Sequence, residues 1–233
     1  MADLTTKTTP IVPLDVPTAT DALELVEYLS DTCRFYKVGN ELFTRAGPGM
    51  VDELRTRGKD VFLDLKFHDI PNTVAGGVRN AAALGARLVT VHATGGAAML
   101  RAAVDAAGPK CGVLAVTVLT SLSADELAAA WGRESVNVAD EVLRLADLAA
   151  ESGAHGIVCS GREAGLVRER FGDRLAVLVP GVRAAGGATQ DQARVVTPQQ
   201  AVESGARYII AGRMITAASD RRAAMQRLLA ELE

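Results

Sequence analysis

The stretch Val61-Phe62-Leu63-Asp64-Leu65-Lys66 decides how the chain is read. Side chains of a β-strand alternate between two faces, so Val61, Leu63 and Leu65 share one side and Phe62, Asp64 and Lys66 the other. The wholly apolar side suits packing against helices. The other side begins with an aromatic and ends with two opposite charges, and Asp69 follows at once in the loop.

Runs of similar length, aliphatic or β-branched, recur on both sides of this one. They lie at 11–16, 35–39, 88–92, 112–118, 156–159, 175–179 and 208–211, which with 60–66 makes eight. Several are nearly all apolar, as strands buried on both faces are. Between them lie amphipathic segments rich in Ala, Leu, Glu and Arg. Ser123-x-x-Glu126 and Thr197-Pro198-Gln199-Gln200 read as capping boxes, and Asn137 as the cap of a further helix. Gly108, Gly132, Gly153 and Gly205 stand where helices should stop. About eight βα units predict a single-domain (β/α)8 TIM barrel. An open doubly wound sheet needs fewer strands, and no G-x-G-x-x-G follows the first run. The longest connection, between the fifth and sixth runs, should hold two helices, at about 123–131 and 137–152. Residues 1–10 read as a flexible N-terminal arm and 11–233 as the barrel.

Composition narrows the function. With 48% hydrophobic and 23% charged residues, the 233-residue chain is not disordered. A net charge of −3 and 4% aromatics argue against a nucleic-acid polymer as partner, which would require a basic face or a stacking platform. Cys33, Cys111 and Cys159 form no CxxC and cannot all pair, which points to a reducing compartment and no zinc site. No run approaches the ~18 apolar residues of a membrane span. The opening residues contain no apolar signal-peptide region, so a cytoplasmic protein is expected.

In a barrel of this kind chemistry sits at the C-terminal ends of the strands. Parity turns Lys37 inward with Phe35, and Asp15 and His92 inward on the first and fourth strands. With Asp64, Lys66 and Asp69 this makes a ring of charges. Burying unpaired charge is costly, so these residues should pair with each other or with a ligand. A barrel interior built for stability alone would be aliphatic. His68 and His155 carry no partner pattern.

Barrels often grip phosphate with the loops after strands seven and eight. Here those loops supply Arg183 and Gly212-Arg213: bidentate donors, and a glycine that lets backbone N–H groups approach an anion. The Gly-rich stretch from Arg183 to Gln192 is long enough to act as a lid. An ammonium between carboxylates, as Lys66 is expected to be, is a proton donor and a carbanion stabiliser. It is a poor Schiff-base nucleophile, which has to be the neutral amine. The site therefore favours a reaction that forms a carbanion and quenches it with a proton, as decarboxylation does. No electron-sink cofactor fingerprint is present.

The run Asp64-Leu-Lys66-Phe-His-Asp69-Ile70-Pro71-Asn72-Thr73-Val74 closely resembles the signature of the orotidine 5′-phosphate decarboxylase family. The resemblance extends, in order, through Leu14-Asp15-Val16-Pro17, Lys37-Val38-Gly39, 117–121, Pro180-Gly181-Val182-Arg183, Asp191-Gln192 and Gly212-Arg213. It implies a cofactor-free homodimer of (β/α)8 barrels, without metal, that converts orotidine 5′-monophosphate (OMP) to UMP and CO2, the last step of de novo UMP synthesis. Lys66 would protonate C6 of the pyrimidine, and Asp64 would lie near the departing carboxylate. Lys37 would bind Asp64 and one ribose hydroxyl, and Asp15 another. Asp69, Ile70 and Thr73 would complete the neighbouring subunit's site. Thr120 would contact the base. Gln192, on the closing lid, would hold the phosphate with Gly212 and Arg213, and Arg183 would lie nearby. The chain departs from the family pattern at Val179, where Thr is expected, at Ala184 (Pro expected) and at Pro13 (a small residue such as Ala). The nearest rival resembles 3-keto-gulonate 6-phosphate decarboxylase, which uses the same Asp-x-Lys-x-x-Asp arrangement with Mg2+. A rival of another class is a non-catalytic nucleotide-binding barrel.

Overall fold

Parallel strands cannot be joined by tight turns, so a chain that alternates strands and helices must cross over after every strand. In the computed structural model, which describes residues 8–183 and 195–233, eight such strands close into a barrel in chain order. They are β1 (Thr9–Pro13), β2 (Phe35–Gly39), β3 (Asp60–Phe67), β4 (Leu88–His92), β5 (Gly112–Val116), β6 (Gly156–Val158), β7 (Ala176–Val179) and β8 (Tyr208–Ile210). Around them lie α1 (Ala19–Leu29), α2 (Asn40–Ala46), α3 (Gly49–Thr56), α4 (Pro71–Ala83), α5 (Gly96–Ala107) and α6 (Ala124–Ala130). The rest are α7 (Val138–Glu151), α8 (Gly161–Phe171), α9 (Pro198–Glu203), α10 (Arg213–Thr216) and α11 (Arg221–Glu231). The fold is the (β/α)8 TIM barrel, and the β5–β6 connection carries two helices as expected.

The alternation of faces holds. Phe62 and Phe35 join Ile11, Leu88, Leu114, Leu178, Tyr208 and Ile210 in a cluster inside the barrel. Val61, Leu63, Tyr36 and Val38 belong to the larger cluster between strands and helices. The helix signals hold as well. Ser123 and Thr197 form reciprocal capping boxes with Glu126 and Gln200, and Asn137 Oδ1 accepts the Ala139 N–H at 3.0 Å. A third box, Ser160 with Glu163, opens α8 on the same S-x-x-E spacing. Gly108 takes a φ of 63° directly after α5, where a residue with a Cβ would be strained.

The start of the barrel differs from the reading of the sequence. Residues 8–10, assigned to an arm, are pinned to the barrel. The Thr8 hydroxyl donates to the Ala206 carbonyl at 2.7 Å, and the Thr9 N–H to the Arg207 carbonyl at 2.9 Å. Pro10 obscures this start, because a residue without an N–H reads as a strand breaker. At its other end β1 stops at Pro13, so Asp15 stands in the loop beyond the strand. The Leu14 N–H still donates to the Lys37 carbonyl (2.9 Å), which carries the chain on alongside β2.

Among the described residues, no helix is long and apolar enough to cross a membrane. The three cysteines are buried and form no disulfide among the described residues, and burial pushes Cys33 and Cys111 up to about 11. At Gly156 of β6 the β7 backbone lies so close that a Cβ would be driven into the Ala176 carbonyl. A backbone atom cannot rotate aside, so Gly156→Ala is expected to destabilise the barrel by about 1–3 kcal/mol. Urea denaturation reads this as a lowered midpoint, and an unchanged midpoint would show that the two strands part freely.

Candidate active site

The register of β2 on β3 sets Lys37 opposite Phe62 and Gly39 opposite Asp64. Lys37 is thereby brought between two carboxylates. Its Nζ lies 2.8 Å from Asp15 Oδ1 and 3.7 Å from Asp64 Oδ2. Lys66 Nζ lies 3.0 Å from both oxygens of Asp64. The four residues form an alternating chain, Asp15–Lys37–Asp64–Lys66. Its centre is the most enclosed part: the side chains of Lys37 and Asp64 are each 12% exposed, against 60% for Asp15. Exposed ion pairs contribute little, whereas a shielded network of this kind keeps its Coulombic attraction. Gly39 makes room for it. A Cβ there would come 2.9 Å from Lys37 Nζ and 3.5 Å from Asp15 Oδ1.

Two sequence expectations need correction. Among the described residues it is Lys37, not Lys66, that bridges two carboxylates, while Lys66 pairs with Asp64. Asp69 stands outside the network. Its carboxylate accepts the Ile70 N–H at 2.6 Å, and Asp69, Ile70 and Thr73 are exposed along the loop and the first turn of α4. The inward parity of β3 ends with the strand, so it cannot place a loop residue two positions beyond.

Lys66 reaches Asp64 from an unusual backbone conformation, with φ at 50°. For a residue with a Cβ this region costs about 1–2 kcal/mol. Here the β3–β4 ladder shifts register between Leu63 and Phe67. Thr90, on β4 and 1% exposed, takes up the slack. Its hydroxyl accepts the Lys66 N–H at 2.9 Å and donates to Asp64 Oδ1 at 2.9 Å. The sequence reading passed over Thr90, although it lies on the same inward face of the fourth strand as His92.

His92 ends β4, half-buried, and its ring centroid lies 5.3 Å from that of His68, which gains the partner its sequence context did not suggest. His155 also has a partner, the Tyr208 hydroxyl at 3.0 Å.

The network forms one wall of a cavity of about 490 Å³. Phe62, Val116, Val158, Leu178 and Ile210 line its apolar part, with Val118, Leu119, Thr120 and Ser121 from the segment after β5. Arg183, Gly212 and Arg213 line it after β7 and β8, the two loops expected to hold phosphate. Among the described residues the lining counts four cations, Lys37, Lys66, Arg183 and Arg213, against two carboxylates, Asp15 and Asp64. A cavity whose described lining is net positive and whose middle is apolar suits an anionic ligand with a weakly polar body. Of the three departures from the family pattern, Val179 is wholly buried in the cluster between strands and helices, where an apolar side chain belongs. Pro13 lines the cavity. Ala184 and Gln192, with the rest of the expected lid, lie outside the described residues.

The His92 pKa is held below its ordinary value of 6.5 by burial, then by His68 and Lys66, with Asp64 opposing. The unfolded chain therefore takes up a proton at His92 at a higher pH than the folded chain does. Stability should fall as pH drops below about 6.5, until the folded protein protonates too. His92→Gln is expected to flatten the curve of denaturation midpoint against pH on the acid side. An unchanged slope would remove His92 from the acid response.

The family model described as orotidine 5′-phosphate decarboxylase / HUMPS family matches residues 8–228. An orotidine 5′-phosphate decarboxylase from Alkalilimnicola ehrlichii is 51% identical over 225 residues, covering 95% of each chain. One from Halorhodospira halophila is 49% identical over 229 residues, covering 95% of this chain and 94% of its own. The crystal structure of orotidine 5′-phosphate decarboxylase from Lactobacillus acidophilus superposes with a TM-score of 0.87 at 38% identity, over 97% of this chain and 99% of that one. The barrel, its charged strand ends and these similarities agree: the chain belongs to the orotidine 5′-phosphate decarboxylase/HUMPS family.

Proposed function

We propose that this chain decarboxylates OMP to UMP and CO2, the last step of de novo UMP synthesis, with Lys66 as the proton donor. The observation that carries the reading is the alternating network Asp15–Lys37–Asp64–Lys66 in the wall of a cavity that Arg183 and Arg213 also line. The substrate's phosphate suits the arginine end, where Gly212 leaves the backbone open, and Gln192 would join them. Its ribose hydroxyls suit Asp15 and Lys37, and its base suits the apolar middle beside Thr120. Its carboxylate then comes to Asp64 and Lys66. The bond from C6 to the carboxylate carbon breaks, the electron pair stays on C6, and CO2 leaves. The Lys66 ammonium stabilises that pair and delivers the proton that forms the C6–H bond. Solvent reprotonates the amine. A preorganised cation of this kind acts where charge develops, without an electron-sink cofactor. The carboxylates that a divalent ion would take as ligands, Asp15 and Asp64, are already engaged by ammonium groups.

On this reading the working unit is a homodimer. Ile70 is 67% exposed although large and apolar, and Asp69 and Thr73 are exposed beside it. Such a patch fits a second copy, whose site it would complete with the Asp69 carboxylate. The reading also fits a cytoplasmic protein, whose three buried thiols would stay reduced.

The direct test follows the loss of orotate absorbance on adding OMP to purified protein. Turnover unaffected by EDTA is expected. Activity lost to EDTA and restored by Mg2+ would favour the metal-dependent relative, and no turnover with intact UMP binding would leave a binding barrel. Lys66→Ala should abolish turnover while changing UMP affinity less than about tenfold, and a larger loss of affinity would assign Lys66 to ground-state binding. Mixing inactive Asp69→Ala and Lys66→Ala proteins should restore part of the activity, because hybrid dimers regain one intact site. No restoration would mean that each site is built from one chain.

A further inference from the structure

We infer that Thr90 is a positioning residue that sets the geometry between Lys66 and Asp64 on which proton delivery depends. The inference rests on the decarboxylase reading above. Thr90 is not among the residues lining the cavity, and at 1% exposure it is out of reach of substrate. It acts through its two neighbours. Its hydroxyl accepts the Lys66 N–H and donates to Asp64 Oδ1, both at 2.9 Å. One hydroxyl can do both at once, since it has one proton to give and lone pairs to receive. The first bond holds the Lys66 backbone at its left-handed φ, where the ladder between β3 and β4 is out of register. The second fixes the carboxylate whose two oxygens both lie 3.0 Å from Lys66 Nζ. The backbone end of Lys66 and the partner of its ammonium end are thus tied to one atom on a neighbouring strand.

The position also argues for a polar task. Thr90 lies two residues from Leu88, which belongs to the apolar cluster inside the barrel, and a purely structural occupant there would be aliphatic. Valine has nearly the shape of threonine and neither hydrogen bond. Alanine lacks both the bonds and the volume, and serine keeps the bonds with less volume.

The test compares OMP turnover by Thr90→Val, Thr90→Ser and Thr90→Ala. A misplaced reactive group lowers kcat by about 10–100-fold. That loss is expected for the valine and alanine variants alike, with the KM for OMP and the Kd for UMP changing less than about threefold. The serine variant should keep kcat within about threefold of the parent. A packing role would reverse the order, leaving valine close to the parent and both smaller residues impaired, and would overturn the inference. If the valine variant does not fold, serine against alanine decides: a fast serine and a slow alanine variant support the inference, and equal rates overturn it. Parent protein that leaves OMP unchanged would sink the decarboxylase reading and this inference together. An active parent with an equally active valine variant would sink the inference alone.

Discussion

Asp64 is one carboxylate held from three consecutive strands. Lys37 comes to it from β2, Lys66 from its own strand β3, and the Thr90 hydroxyl from β4. A shielded carboxylate left alone would be expensive, and removing one partner of a buried ion pair typically costs about 3–5 kcal/mol because the other charge remains. The ends of these strands therefore keep the spacing that satisfies Asp64. Gly39 lacks a side chain where the Lys37 ammonium has to pass. Lys66 accepts a strained backbone where its ammonium has to turn back to the carboxylate.

The same constraint explains how an acidic chain comes to suit an anionic ligand. Net charge over 233 residues is −3, yet the described cavity lining has two more cations than carboxylates. A cleft with apolar walls concentrates the field of the few charges at its ends, so local placement outweighs the total. The argument from net charge against nucleic-acid polymers does not extend to a single nucleotide, which needs only a few cations at the right places.

Much of this was legible from residue order. The two-residue period of β3 separated Phe62, Asp64 and Lys66 from Val61 and Leu63, and the structure keeps that separation, with Phe62 inside and the charges at the cavity. Capping boxes located α6 and α9 because they are local bonds spanning three residues. What escaped was non-local or irregular. Thr90 gains its importance only from a register shift that no periodicity encodes. His68 and His92 lie far apart in the chain and meet only through the β3–β4 pairing. Asp69 looked like a member of the ring because it follows Lys66 closely, but it stands in a loop whose direction no strand period governs.

The sequence by itself determined the alternation of eight strands with helices, the face on which each strand charge lies, and the family whose motifs those charges spell. These follow from short-range rules: the pleat of a strand, the reach of a capping side chain, the residue types that a reaction requires. The tertiary structure decided which charges meet. Pairing depends on the register between neighbouring strands and on the room left by residues such as Gly39, and neither quantity is carried by any one segment. Lys37, rather than Lys66, bridges two carboxylates because β2 sits between the loop that bears Asp15 and the strand that bears Asp64.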